Sequence, residues 1–262
     1  MSGQLQGRIA LVTGSATGIG EAIARRFAAE GASVMFHGRK NEIKDLEKLV
    51  DETPGSAYII GQVDDPIVCE ILVETTVQRF GSIDIVVNNA AAIVRSNLAT
   101  TDAATFDYVV AVNVRAPLLV IRAAHPYFKK AGGGCVLNIG SVNAYCGEGN
   151  QLAYSVAKGG LMTMTRNLSD ALALDRVRVN QINPGWVLTP NEYALKIKEG
   201  LPADWPEHLP KAYAPSGRIL KPEEVAHYAL TLCSDAGGPV SGAVIELEQY
   251  SIIGRNPVKE SL

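Results

Sequence analysis

The chain alternates short apolar runs with amphipathic stretches almost from end to end. Ile9 to Val12 leads into Gly18 to Glu30, Ser33 to His37 into Glu42 to Asp51, and Ala57 to Val63 into Pro66 to Phe80. Ile83 to Asn88 then precedes Asp102 to Lys130, Cys135 to Ile139 precedes Ala153 to Leu174, and Val177 to Ile182 opens a longer irregular stretch. Pro222 to Ser234 reads as a helix and Gly242 to Glu248 as a last strand. The apolar runs are nearly continuous, as strands covered on both faces of a parallel sheet must be. Strands alternating with helices imply right-handed crossovers. The pattern therefore predicts an α/β fold: one Rossmann-type domain over residues 1–262, with a doubly wound parallel sheet of about seven strands flanked by helices.

One segment breaks this rhythm. Residues 185–217 contain Pro190, Pro202, Pro206, Pro210 and Pro215, with two short helix-like pieces. An irregular insertion of this length in a compact domain is a functional lid or a disordered loop. Trp186, Tyr193, Leu195, Trp205, Leu209 and Tyr213 give it apolar area to pack, which favours a lid over residues 186–217, just after Pro184.

Composition narrows the class. With 47% apolar and 19% charged residues and a net charge of −3, the chain has the makings of a sizeable core, and no basic run invites a nucleic-acid partner. The first apolar run ends at Gly14, too short for a signal h-region or a membrane span, so a cytoplasmic protein without membrane attachment is expected. Cys69, Cys135, Cys146 and Cys233, like the four histidines, lie scattered without metal-ligand spacing. Reduced buried thiols and no metal site are expected.

The first strand runs into Thr13-Gly-Ser-Ala-Thr-Gly-Ile-Gly20, which opens the first helix. Glycines at 14, 18 and 20 permit a tight turn and close backbone approach, so a pyrophosphate can sit on N–H groups at the helix start. Such a cluster also serves as a plain strand-to-helix turn, but its place in a βαβ unit points to a dinucleotide. At the end of the second strand, where an acid would meet a ribose 2′-hydroxyl, the chain reads Val34-Met-Phe-His-Gly-Arg-Lys40. The acid is absent, and Arg39 offers a guanidinium fork suited to a 2′-phosphate. NADP(H) is expected ahead of NAD(H); the alternative is that Arg39 and Lys40 are solvated helix-start charges.

Tyr154-Ser-Val-Ala-Lys158 places a phenol and an ammonium on one helix face. A nearby cation favours the phenolate, so the pair suits proton exchange with an alcohol or carbonyl oxygen. Ser141 follows the strand Cys135 to Ile139 and so lies at a strand's carboxyl end, where open α/β sheets bind ligands.

With these marks in order, the chain resembles the short-chain dehydrogenase/reductase family in its compact single-domain form. The resemblance rests on Thr13 to Gly20, Asp64, Asn88-Asn-Ala-Ala91, Asn113, Ser141, Tyr154-x-x-x-Lys158 and Asn183-Pro-Gly185, and covers nearly the whole chain. It implies Tyr154 as general acid/base and Lys158 as the group that lowers its pKa and holds the nicotinamide ribose. It also implies Ser141 as holder of the substrate oxygen and Asn113 as keeper of helix geometry and a proton-relay water. By the same resemblance Asp64 would meet the adenine. Gly14, Ser15, Thr17, Gly18, Ile19, Gly20, Arg39, Asn89, Ala90, Tyr154, Lys158, Pro184, Gly185, Val187 and Thr189 would complete the cofactor site. Two departures stand out: Ala91 where the family has glycine, and Leu247-Glu-Gln-Tyr250 where it commonly has Val-Asp-Gly-Gly. The family builds tetramer contacts near there, so a homotetramer is expected, with a tail after Glu248 that could reach over a neighbour's pocket.

Substrate choice falls to the loop after Asn89, to residues 143–151 and to the lid, which supply Arg95, Asn143, Gln151 and Trp186, along with Asn97, Tyr145, Glu148, Asn150, Glu192 and Trp205. Many of these are hydrogen-bonding groups, which suits a sugar or polyol. Arg95 could meet an acid sugar's anionic group. Alternatives are a reductase of small ketones or 3-oxoacyl thioesters and, from another class, a non-catalytic nucleotide-binding regulator on the same fold.

Overall fold

A computed structural model describes residues 3–250. Seven parallel strands form one sheet in the order β3-β2-β1-β4-β5-β6-β7. They are β1 Ile9–Val12, β2 Ser33–Gly38, β3 Ala57–Ile60, β4 Ile85–Asn88, β5 Gly134–Ile139, β6 Val177–Pro184 and β7 Val244–Leu247. The helices are α1 Gly18–Ala29, α2 Ile43–Glu52, α3 Pro66–Phe80, α4 Ala103–Val110, α5 Ala116–Ala131, α6 Asn143–Cys146, α7 Leu152–Ala171, α8 Pro190–Lys198 and α9 Pro222–Cys233.

Strand alternation divides the core. Ala10, Val12, Val34, Phe36, Val87 and Leu137 face one side with α1 and α9, while Leu11, Met35, Val86, Val136 and Val179 face the other with α3 and α5. The chain order reverses between β1 and β4. A doubly wound sheet opens its binding crevice at that switch point, outside the strands' carboxyl ends.

Two elements depart from the apolar pattern. The third strand stops at Ile60, before a turn through Gly61 to Asp64. The helix expected over Asp102 to Lys130 is interrupted by a π-helical turn at Ala111–Arg115, between α4 and α5. Ala103–Ala131 is long and apolar enough to cross a membrane on length and composition, but here it packs against α3 and α7. The expectation for the tail after Tyr250 lies outside the described residues, as does the side chain of Cys146; Cys69, Cys135 and Cys233 are free and buried.

Candidate active site

The first strand delivers Thr13 to the carboxyl edge of the sheet, and the chain turns through Gly14 (φ +63°) and Gly18 (φ +64°), a region costly for any side chain. A methyl on Gly14 would lie 2.8 Å from Cα of Ala90, and one on Gly20 would collide with Gly14 and Asn89. The Thr13 hydroxyl accepts from the N–H groups of Asn89 (3.0 Å) and Ala90 (3.1 Å), and the Asn89 amide donates back to the carbonyls of Thr13 (3.0 Å) and Gly14 (2.8 Å). The loops after β1 and β4 are thereby laced together across the switch point. Thr17, the N-cap of α1, makes no capping hydrogen bond, so the first-turn N–H groups stay available to an anion. These residues fit a dinucleotide pyrophosphate.

Gly14, Thr17, Gly18, Ile19, Arg39, Asp64, Asn89 and Ala90 line one cleft together with Ser141, Tyr154, Lys158, Pro184, Gly185, Val187 and Thr189. Ser15 and Gly20 stand behind its wall. Ser15 is fully buried; its hydroxyl donates to the carbonyl of Val12 (2.8 Å) and accepts from the N–H of His37 (2.9 Å).

Two residues of this cleft were not singled out from sequence. His37 accepts the Gly14 N–H at Nδ1 (3.0 Å) and faces the Gly61 carbonyl through Nε2 (3.3 Å). An accepting Nδ1 puts the ring hydrogen on Nε2 and requires neutral imidazole. Burial lowers its pKa to about 4, in keeping with that role. Glu42 accepts from Nη2 of Arg39 (2.9 Å) and from its backbone N–H (2.7 Å). Arg39 thus lines the cleft just beyond β2, but already carries a carboxylate partner. A pattern "acid at the strand end" looks for Glu42 too early in the chain.

Ser141, Tyr154 and Lys158 meet where β5 ends. Tyr154 and Lys158 share the buried face of α7 with Leu161 and Thr165, the i, i+4, i+7, i+11 series of a helix packed on a sheet. Ser141 hydrogen-bonds the Tyr154 hydroxyl, and its own Oγ accepts from the Asn143 N–H (3.2 Å). Lys158 Nζ donates to the Ile139 carbonyl (2.7 Å) and stands 5.4 Å from the Tyr154 ring centre. The expectation that Lys158 depresses the Tyr154 pKa is not met in this structure. Burial pushes the phenol up to about 12, with only the Ser141 hydrogen bond opposing, and lowers Lys158 to about 7. Desolvation disfavours both charged forms.

Asn113 lies in the π turn, 1% exposed. Its amide donates to the carbonyls of Val109 and Ala92, both at 2.9 Å, and its Oδ1 has no partner. The Asn113 side chain thus bonds a helix carbonyl one turn before it, just ahead of the π turn.

Beneath Ser141 runs a buried polar row. Asn88, Asn138 and Gln181 are register partners across β4, β5 and β6. The Asn88 amide donates to Asn138 (2.9 Å), Asn138 to the Thr165 hydroxyl (2.9 Å), that hydroxyl to Gln181 (2.8 Å), and the Gln181 amide to Asn183 Oδ1 (2.7 Å). Asn183 Oδ1 also accepts the Ser141 backbone N–H (3.1 Å). A methyl on Gly140 would collide with that same oxygen, which explains why glycine precedes the serine.

Beyond Ser141 and Tyr154 a cavity of ≈1120 Å³ opens under the lid, with Arg95, Asn143, Gln151 and Trp186 on its walls. Asn143 donates to Gln151 (2.9 Å). Arg95 ion-pairs with Glu199 (3.0 Å) and donates to Asn150 (3.2 Å), tying the lid to the loop after β4. Trp186 stacks on Trp205 at 5.4 Å and donates to Glu192 (2.8 Å). The lid is therefore folded on its own apolar cluster of Trp205, Ala214 and Ile219.

Residues 14–248 match a family model described as enoyl-(acyl carrier protein) reductase. The 3-oxoacyl-[acyl-carrier-protein] reductase FabG of Thermotoga maritima is 34% identical over 253 residues, covering 95% of this chain and 100% of that protein. The dehydrogenase/reductase SDR family member 4 of Sus scrofa is 34% identical over 251 residues, covering 92% and 86%. Among solved structures, L-sorbose reductase from Gluconobacter frateurii, complexed with NADPH and L-sorbose, superposes with a TM-score of 0.87 at 28% identity, covering 95% of this chain and 97% of that one.

Proposed function

This chain belongs to the short-chain dehydrogenase/reductase family of oxidoreductases, and from that premise we propose that it interconverts a carbonyl and a secondary alcohol on a sugar or polyol with NADP(H). The observation that carries the reading is the meeting of Ser141, Tyr154 and Lys158 at the end of β5, where the cofactor cleft joins a hydrogen-bonding cavity. When bound, the nicotinamide cofactor supplies or accepts the hydride. Ser141 holds the substrate oxygen, and Tyr154, whose phenol keeps its proton across neutral pH, donates that proton as the oxygen gains charge. Lys158 orients the site from behind Tyr154, and Asn113 holds the backbone at the π turn and offers Oδ1 to a relay water.

Arg39 supports NADP(H), with NAD(H) as the alternative that Glu42 keeps open. The sorbose reductase, solved with NADPH, supports both halves of the reading. A cytoplasmic homotetramer belongs to the same proposal; Tyr108, Leu118 and Val156 are exposed apolar residues on α4, α5 and α7 that an interface would cover.

The runner-up is reduction of a 3-oxoacyl thioester, favoured by the description of the family model and by the Thermotoga relative. NADPH oxidation with a ketohexose, a plain short-chain ketone and acetoacetyl thioester separates the readings. Highest kcat/KM on the ketohexose supports the first, and highest on the thioester replaces it with the second.

A further inference from the structure

The strand β7 hands its next residue to the substrate cavity. The Leu247 carbonyl accepts the Gly185 N–H (2.8 Å), so Glu248 emerges beside Gly185 and Trp186 at the carboxyl edge of the sheet. Its carboxylate folds back over Gly185 so closely that a methyl there would collide with it. It lines the same cavity as Ser141 and Tyr154.

What separates Glu248 from its acidic neighbours on the lid is its partners. Glu192 is held by the Trp186 indole and by Lys196, and Glu199 by Lys196 (2.8 Å) and Arg95 (3.0 Å). Glu248 accepts only backbone N–H groups, from Gln249 (2.6 Å) and Trp186, and has no cationic partner among the described residues. Burial pushes its pKa above the usual carboxylate range. An ionised carboxyl has about four acceptor positions. Two are filled, and a half-buried carboxylate with unmet acceptors is costly unless donors reach it. Arg95, the cation that an anionic substrate would need, is already engaged by Glu199 and Asn150.

We propose that Glu248 is a substrate-specificity residue: its carboxylate accepts hydrogen bonds from hydroxyl groups next to the reacting carbon, selecting neutral polyhydroxylated substrates and disfavouring anionic ones. This rests on the carbonyl–alcohol reading of the Ser141–Tyr154–Lys158 site and names its substrate class. It also removes the acid-sugar option raised for Arg95, since a carboxylate in the pocket repels another.

The test compares wild type, Glu248→Gln and Glu248→Ala as full-length enzyme, with NADPH and two substrates: a ketohexose and an unsubstituted ketone of similar size. Circular dichroism and NADPH affinity verify that each variant is folded. A hydrogen bond to a charged group makes the expected fall in the kcat/KM ratio, ketohexose over plain ketone, about ten- to a hundredfold in Glu248→Ala. Glu248→Gln, which keeps one acceptor, should fall less. Wild-type turnover of the ketohexose with an unchanged ratio in both variants overturns the role of Glu248 alone. No wild-type turnover of the ketohexose, with turnover of the plain ketone, overturns the sugar reading and this assignment together.

Discussion

Tyr154 and Lys158 lie one helical turn apart, and burial drives each toward its neutral form, the phenol to about 12 and the ammonium to about 7. Solvent exclusion dominates the site, so its proton inventory suits donation from Tyr154. Arg39 and Glu42 settle the other way: Arg39 is 59% exposed on its side chain, and their hydrogen-bonded ion pair favours the charged form of each. Arg39→Ala should weaken NADPH binding more than NADH binding, and Glu42→Gln should shift the balance toward NADPH; fluorescence titration of both cofactors reads the two changes. His37 carries a pH signature. Its folded pKa, about 4, lies below the unfolded value of 6.5, so below pH 6.5 the unfolded chain takes up a proton that the fold refuses. Stability is therefore full above pH 6.5 and falls as pH drops toward 4, by on the order of 3 kcal/mol. Urea midpoints at pH 7.5 and 4.5 should show part of this fall vanish in His37→Asn.

At the scale of elements, the sequence reading was strongest where a periodicity had room to repeat. Pro66–Phe80 was legible to the residue, because Asp65 caps it and Pro66 opens it. The strands were legible from their apolar runs, and the lid from its prolines and aromatics. The π turn was not: Ala111–Arg115 keeps the apolar rhythm of the helices around it, and only the capping of Val109 by Asn113 reveals it. The polar row was also hidden, because Asn88, Asn138 and Gln181 become neighbours only through strand register. His37 and Glu42 were missed for a related reason, since each acts by touching a loop distant in sequence or one turn away. Gln181→Leu removes one partner from the Thr165 hydroxyl, which keeps the Leu161 carbonyl (3.0 Å), and one from Asn183 Oδ1, which keeps the Ser141 N–H (3.1 Å). It should cost about 1–3 kcal/mol in chemical denaturation, with a drop in kcat that a purely distant packing defect would not cause.

Across the whole molecule, the β1–β4 switch point fixes where a nucleotide can lie, the end of β5 fixes where a proton can be given, and the lid encloses the space between them. The Arg95–Glu199 ion pair holds that lid to the body, and the Trp186–Trp205 stack holds the lid together. Trp205 is 2% exposed, so Trp205→Ala removes the centre of the lid cluster. Substrate KM should rise several-fold while NADPH affinity changes little, and the lid should become the first segment cut in limited proteolysis. The central claim is an NADP(H) oxidoreductase in which Tyr154 moves the proton. It is tested most directly by NADPH oxidation with a ketohexose in wild type and in Tyr154→Phe. Turnover in wild type, reduced about 10²- to 10⁴-fold in the variant with NADPH binding retained, is the expected result. Turnover that survives in Tyr154→Phe would contradict it.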